Sequence, residues 1–243
     1  MLNSDTVVLD RAIEKLIEFA AQHPDELIYG GRTLFDDQTL NPSSCWARST
    51  PWSELCHAIG LTATFRGSSR FNREAFGHWP RDTVRHVDIV SGCFFMIERR
   101  FWERLDGFAP EFFMYGEEAD LCLRARQLGA RPIICPAAQI IHYGGKSERT
   151  QAGKLVKLLK SRRLLIERHW PRRWIGFGRL IQKLGVRQRL LIYRIAARLG
   201  RRSARERVET YEHVWRQRRE WDGSSSDSHT NPADSPDVEA ARE

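Results

Sequence analysis

The sequence predicts an α/β protein, with a sheet and its helices in residues 1–148, a basic helical extension in 149–220 and a polar tail in 221–243. Two patterns carry this reading. Short β-branched and aromatic runs alternate with amphipathic stretches as far as His142, the order expected of an α/β domain with a mostly parallel sheet. Positive charge is confined to one region: residues 149–220 hold 22 basic against 5 acidic side chains, whereas residues 1–148 hold 16 against 20. The basic character belongs to a segment, and the chain divides there.

Taken in order, DRAIEKLIEFAAQ (10–22) places Ala12, Ile13, Leu16, Ile17 and Ala20 on one helical face. LIYGGRTLF (27–35) reads as a strand interrupted by glycine. Residues 36–80 carry little periodic signal. Within them NPSSCWARSTPW (41–52) reads as a surface loop, its tryptophans and arginine suiting the wall of a binding site as well as simple packing. VRHVDIV (84–90) and CFFMI (93–97) read as strands around the turn Ser91-Gly92, and ERRFWERLDG (98–107) as a short helix closed by Gly107. A helix with the apolar stripe Leu121, Ala125 and Leu128 ends at Gly129. RPIIC (131–135) and QIIHY (139–143) then read as two short strands separated by Pro136. The tail has almost no large apolar side chains and is expected to be disordered.

Composition narrows the function classes. An apolar content of 41% and a charged content of 29% over 243 residues are those of a globular chain with a real core. No apolar run approaches the roughly eighteen residues that a membrane-spanning helix needs, and the N-terminus lacks the pattern of a signal peptide. The five cysteines (Cys45, Cys56, Cys93, Cys122 and Cys135) are odd in number and lack Cys-x-x-Cys spacing. That argues for reduced thiols in a cytoplasmic setting, against a zinc site or a disulfide framework.

The segment FFMYGEEADLCLRARQLG (112–129) sets three carboxylates, Glu117, Glu118 and Asp120, between aromatic side chains and a helix. Two readings stand. Acids in a first helical turn are stabilised by the unpaired N–H groups and the dipole, by about 0.3–1 kcal/mol each. Alternatively, apolar rings hold Glu118 at the mouth of a pocket, where it accepts a proton from a bound hydroxyl. Glu117 and Asp120 share a helical face, and Glu118 points about 100° away from it.

These residues carry a resemblance. The stretch from VDIVSGCFFMIERRFWERLDGF through FFMYGEEADLCLR to QIIHYGGKS resembles the C-terminal half of the catalytic domain of family-2 glycosyltransferases, in particular rhamnosyltransferase-like members. The upstream NSDTVVLDRAIEKLIEFAAQHPD resembles the region around that family's metal motif, so the likeness covers residues 1–148. It implies a GT-A-like mixed α/β fold and an inverting, hexosyltransferase-type transfer from a nucleotide-sugar donor to a glycan or lipid-linked acceptor in cell-surface polysaccharide synthesis. Glu118 takes the place of the general base, with Asp120 as its rival and Glu117 beside them. Asp88, Ser91 and Gly92 line the acceptor side. Asn3-Ser4-Asp5 falls on the family's Asp-x-Asp motif, which makes Asp5, Asn3 and His142 the candidate ligands for Mg²⁺ or Mn²⁺. Glu118, Asp5 and His142 are expected to share one open cavity. In the family a nucleotide-binding half precedes the metal motif, so the resemblance also implies a truncated or split enzyme. The rival is a catalytically inactive scaffold that keeps a GT-A remnant.

In the basic segment, one amphipathic stretch contains Leu155, Leu158, Leu159, Leu165 and Ile166. A second contains Leu180, Ile181, Leu184, Leu191, Ile192, Ile195 and Ala196, with arginine opposite and Trp170, Trp174 and Phe177 between the two. Arginine-rich helices of this kind suit an anionic membrane surface. Packing on the α/β domain and nucleic-acid binding are the alternatives, the latter disfavoured because no nucleic-acid-reading motif accompanies the charge. The resulting expectation is a cytoplasmic protein, peripheral on the inner face of the cell membrane.

Overall fold

The computed structural model describes residues 1–112, 114–144 and 150–224. Phe113, residues 145–147 of the GGKS segment and residues 225–243 of the tail expected to be disordered lie outside the described residues. Trp221, the first residue of that tail, is fully buried, and Asp222 pairs with Lys183 at 2.8 Å. In chain order the first half runs β1 (Thr6–Val8), α1 (Ala12–Gln22), β2 (Ile28–Leu34), β3 (Cys45–Trp46), α2 (Pro51–Ala58) and α3 (Leu61–Thr64). There follow β4 (Arg85–His86), β5 (Ile89–Val90), β6 (Phe95–Ile97), α4 (Arg99–Arg104), α5 (Glu117–Gln127) and β7 (Ile133–His142). The helical extension comprises α6 (Gln151–His169), α7 (Arg172–Arg198), α8 (Arg202–Arg216) and α9 (Arg218–Trp221).

β7 is the axis of the main sheet. It runs parallel to β2 on one side and antiparallel to β1 and β4 on the other, while β6 pairs antiparallel with β2. The sheet is therefore mixed, as the family resemblance implies, and the mostly parallel pairing expected from the order of elements alone is corrected. Alternation of apolar residues marks a strand without fixing its direction, and β1, β4 and β6 lie at edges that need no crossover helix. The two runs on either side of Pro136 form one strand. Its ladder with β2 slips between Gly31 and Arg32, where three residues of β7 (136–138) pass unpaired.

Helices cover both faces. Leu121, Cys122 and Ala125 of α5 pack with Val90, Phe95 and Ile134, and α1 packs Ala12, Leu16 and Phe19 with Tyr29 and Ile140 on the other side. The α1 face is rotated from the expected one: Ile13 and Ile17 are exposed and Phe19 takes their place. Residues 36–80 are more ordered than their periodicity indicates. Thr50 caps α2 in a capping box with Ser53, and Pro51 occupies the first helical turn.

The helical extension has a small core of its own, Val156 and Leu159 of α6 with Val186, Val214 and Trp221. Its first helix is also bound into the α/β part. Arg162 bridges Glu54 of α2 and Glu74, the latter at 2.7 Å, and Ile166 is fully buried. Among the described residues no helix is long and apolar enough to cross a membrane.

Gly31 shows how tightly the central strand is enclosed. A Cβ there would lie 2.3 Å from the Phe94 ring and 2.7 Å from the Ala138 carbonyl oxygen, a backbone atom that cannot swing aside. Gly31→Ala is expected to destabilise the protein by about 1–3 kcal/mol through overpacking, read as a lower midpoint in thermal or urea unfolding.

Candidate active site

The site is built around the start of α5. Gly116 caps that helix with φ +88°, and a Cβ there would fall 2.0 Å from Ser161 Oγ, so glycine permits both the turn and the close approach of α6. The turn delivers Glu117, Glu118 and Asp120 into three environments.

Asp120 is fully buried, and its oxygens are taken: Arg124 Nε lies at 2.7 Å, His169 Nε2 at 2.8 Å and Arg168 Nε at 3.3 Å. Burial pushes its pKa up, but the hydrogen bonds from His169 and Arg124 outweigh that and hold it below the ordinary carboxylate range. Asp120 thus ties α5 to α6 and leaves no oxygen for a substrate, which removes it as the rival base.

Glu118 has the opposite surroundings. Its Oε2 is buried with no hydrogen-bond partner among the described residues. Burial, and then the charge of Glu117, push its pKa up to about 7 against the pull of nearby backbone N–H groups, including that of Gly92. Glu117 is raised too, by burial, and its Oε2 is likewise unpartnered. Glu118 lines a cavity of about 380 Å³ whose other walls include Trp46 and Tyr115 from the α/β part and Leu155, Leu158 and Ile181 from α6 and α7. An acid near neutrality in an apolar-walled cavity is poised to take a proton at physiological pH.

The candidate metal ligands lie across the turn at 91–93. Asp5 Oδ1 is 3.2 Å from His142 Nε2, and β1 and β7 hold the pair through the Thr6–His142 register. The hydrogen bond between His142 and Cys93 raises the imidazole pKa and, against burial, lowers that of the thiol. Ser91 Oγ lies 3.1 Å from Cys93 Sγ, and Gly92 sits against Glu118, its Cα pointing toward the carboxylate side chain. Asp5 and His142 are absent from the walls of the Glu118 cavity, so the expectation of one shared cavity is corrected. The acid and the pair are joined instead through Ser91-Gly92-Cys93, with Gly92 on one and Cys93 on the other.

Asn3 reaches the same place by its backbone, its N–H donating to the Cys93 carbonyl at 3.0 Å. Among the described residues no group of three or more His, Cys, Asp or Glu side chains is arranged to hold a metal ion. One carboxylate and one imidazole are nevertheless a donor set that fits Mg²⁺ or Mn²⁺, which usually take one or two protein ligands and complete their shell with phosphate and water. Asp88, placed by sequence on the acceptor side, is engaged elsewhere. It accepts from the Arg48 N–H at 2.9 Å and pairs with Arg126 at 3.0 Å, bracing the loop before β5.

Sequence reasoning missed several members of the site. His169, Arg162, Glu54 and His57 lie far apart in the chain and match no local pattern. Yet His169 holds Asp120, while the other three line the Glu118 cavity. Burial, then Arg162 and Arg189, push His57 down to about 4, so it is neutral at pH 7. The Thr50-Pro51 helix start was the available signal for that wall.

The family model described as "Glycosyltransferase like family 2" matches residues 1–163, which takes in the sheet, α5 and most of α6. The chain belongs to this family, and its mixed α/β sheet is GT-A-like. Over 99 residues it is 33% identical to "Rhamnosyltransferase WbbL" of Escherichia coli K12, covering 37% of each chain. Over 132 residues it is 31% identical to "N-acetylglucosaminyl-diphospho-decaprenol L-rhamnosyltransferase" of Mycobacterium tuberculosis, covering 51% of this chain and 41% of that one. The chain thus spans about two fifths of the length of these curated relatives.

The Asp120 clamp yields a stability prediction. A carboxyl held below its unfolded pKa contributes stability that is present above the unfolded value and lost as pH falls through the folded one. Asp120→Asn is therefore expected to cost about 3–5 kcal/mol at pH 7. The gap in Tm between wild type and variant should narrow below about pH 4.

Proposed function

We propose that this chain carries the acceptor-activating part of an inverting glycosyltransferase, with Glu118 as general base. The observation that carries the reading is the buried, unpartnered Oε2 of Glu118, in an acid whose pKa lies near 7, at a cavity next to the turn that bonds to His142. Glu118 takes the proton of an acceptor hydroxyl. The hydroxyl oxygen forms a bond to the anomeric carbon of a nucleotide-sugar as the bond from that carbon to the diphosphate oxygen breaks, and the nucleoside diphosphate leaves with the electron pair. Attack from the side opposite the leaving group inverts the configuration.

Asp5 and His142 are the residues that would hold a divalent cation here. A bound Mg²⁺ or Mn²⁺ supplies neutralisation of the departing diphosphate. Ser91 and Gly92 border the acceptor side of Glu118, and the apolar walls from α6 and α7 suit an acceptor with a lipid stem. The activity named for the mycobacterial relative makes an N-acetylglucosaminyl-diphospho-polyprenol the first acceptor to test, with a nucleotide-linked rhamnose as donor.

Glu118→Gln is expected to lower transfer by about 10²–10⁴-fold while donor binding is retained. Since the ionised carboxylate is the active form, wild-type kcat/KM should fall as pH drops through about 7. Unchanged turnover in the variant would eliminate Glu118 as the base. For the cation site, isothermal titration with a nucleoside diphosphate should show Mn²⁺-dependent binding. Asp5→Asn or His142→Ala should weaken it by about 10–100-fold. Binding indifferent to Mn²⁺ and to both substitutions would remove these residues from the donor site.

A further inference from the structure

α7 presents an apolar face that none of the described residues covers. Its inner side, Gly178, Gln182, Gly185, Val186 and Leu190, is buried against the rest of the molecule. On the outer side Leu180, Leu184, Leu191 and Ile195 fall within about 60° of arc by the 3.6-residue period, so they form one stripe. All four are exposed, Leu191 at 59%, and Leu199 extends the stripe at 76%. Single exposed leucines are unremarkable, but a row of five along one helix marks a contact surface.

The face continues onto the α/β part. Ile192 of α7 and Ile59, just after α2, line one cavity of about 400 Å³, and Ile59 is itself exposed. Beyond it Phe65, also exposed, stacks on Phe71 with ring centroids 5.0 Å apart. Two separate segments of chain, one in each structural layer, therefore bring apolar side chains to the same side.

Charge decides what this surface fits. On α7, Arg198 falls within the stripe and Arg187 and Arg194 lie along one edge of it, Arg187 stacking on Trp215 and Arg194 pairing with Glu212 at 2.8 Å. Arg66 and Arg70 accompany Phe65, and all five are exposed. A second copy seated on the face by a two-fold axis would bring arginine against arginine, which is repulsive. Nucleic acid would satisfy the arginines and leave the leucines in water. An anionic bilayer satisfies both, since leucine enters the acyl boundary while arginine stays among the phosphates. We propose that the outer face of α7, together with Ile59 and Phe65, docks the protein in the interfacial layer of an anionic membrane. The docking is a property of this surface and does not rest on the catalytic reading.

The test is co-sedimentation of the full chain with phosphatidylcholine vesicles containing about one third phosphatidylglycerol, at about 0.1 M salt. Wild type is expected to pellet with them, less with phosphatidylcholine alone, and less as salt rises. Leu184→Glu with Leu191→Glu should lower partitioning by about tenfold or more. The milder pair Leu184→Ser with Leu191→Ser should lower it in the same direction, with unchanged circular-dichroism melting showing that the fold is intact. Three results would overturn the proposal. These are failure of the wild type to pellet with anionic vesicles, binding by folded variants as tight as that of wild type, and dimerisation or duplex-DNA binding that the same substitutions abolish.

Discussion

A fully buried carboxylate held by two guanidinium groups and an imidazole sets the geometry of this protein. Asp120 takes its partners from its own helix, through Arg124, and from the end of α6, through Arg168 and His169. An uncompensated charge at that depth costs several kcal/mol, so α6 cannot leave without the first turn of α5 losing its anchor. Arg162, one α6 turn and a half earlier, repeats the device with Glu54 and Glu74. Ser161, the residue before Arg162, packs against the glycine that starts α5. The helical extension is thus a wall of the site, in keeping with a family match that runs on to residue 163.

The same arrangement separates two acids that stand two residues apart. Asp120 is buried with cations and stays ionised; Glu118 is buried with apolar groups, beside another carboxylate, and is pushed toward neutrality. Burial raises both, and the partners decide the sign. One acid can then be structural at every working pH while its neighbour exchanges a proton, the division of labour that acid–base catalysis requires of paired carboxylates.

Much of this was legible in the sequence, and the rest was not for identifiable reasons. The glycine–acid–acid turn, the α5 helix, the strand ending at His142 and the nearness of Asp5 to it follow from local pattern and from the family resemblance. Asp120 and Glu118 could not be told apart, because the hydrogen-bond partners that distinguish them come from residues 124, 168 and 169. Asp88 likewise gave no sign of its bond to Arg126. Strand direction escaped because a period of two is common to both senses of pairing. The α1 face was misplaced by one helical position because Ile13, Ile17 and Phe19 are equally apolar, and only the sheet decides which are covered.

The cavity at Glu118 and the proposed docking face share helix α7. Leu155, Leu158 and Ile181 line the former, and Leu180 and Leu184, neighbours of Ile181 on α7, begin the latter. An acceptor with a polyprenyl stem must keep that stem in hydrocarbon, since exposing each methylene to water costs about 0.8 kcal/mol. A site reached along apolar helix surface from the headgroup layer spares the stem that exposure and brings only the sugar to the acid. On these two proposals helix α7 contributes both to the docking face and to the wall of the cavity at the proposed base, and the buried Asp120 ties α6, to which α7 is joined, to the helix that carries Glu118.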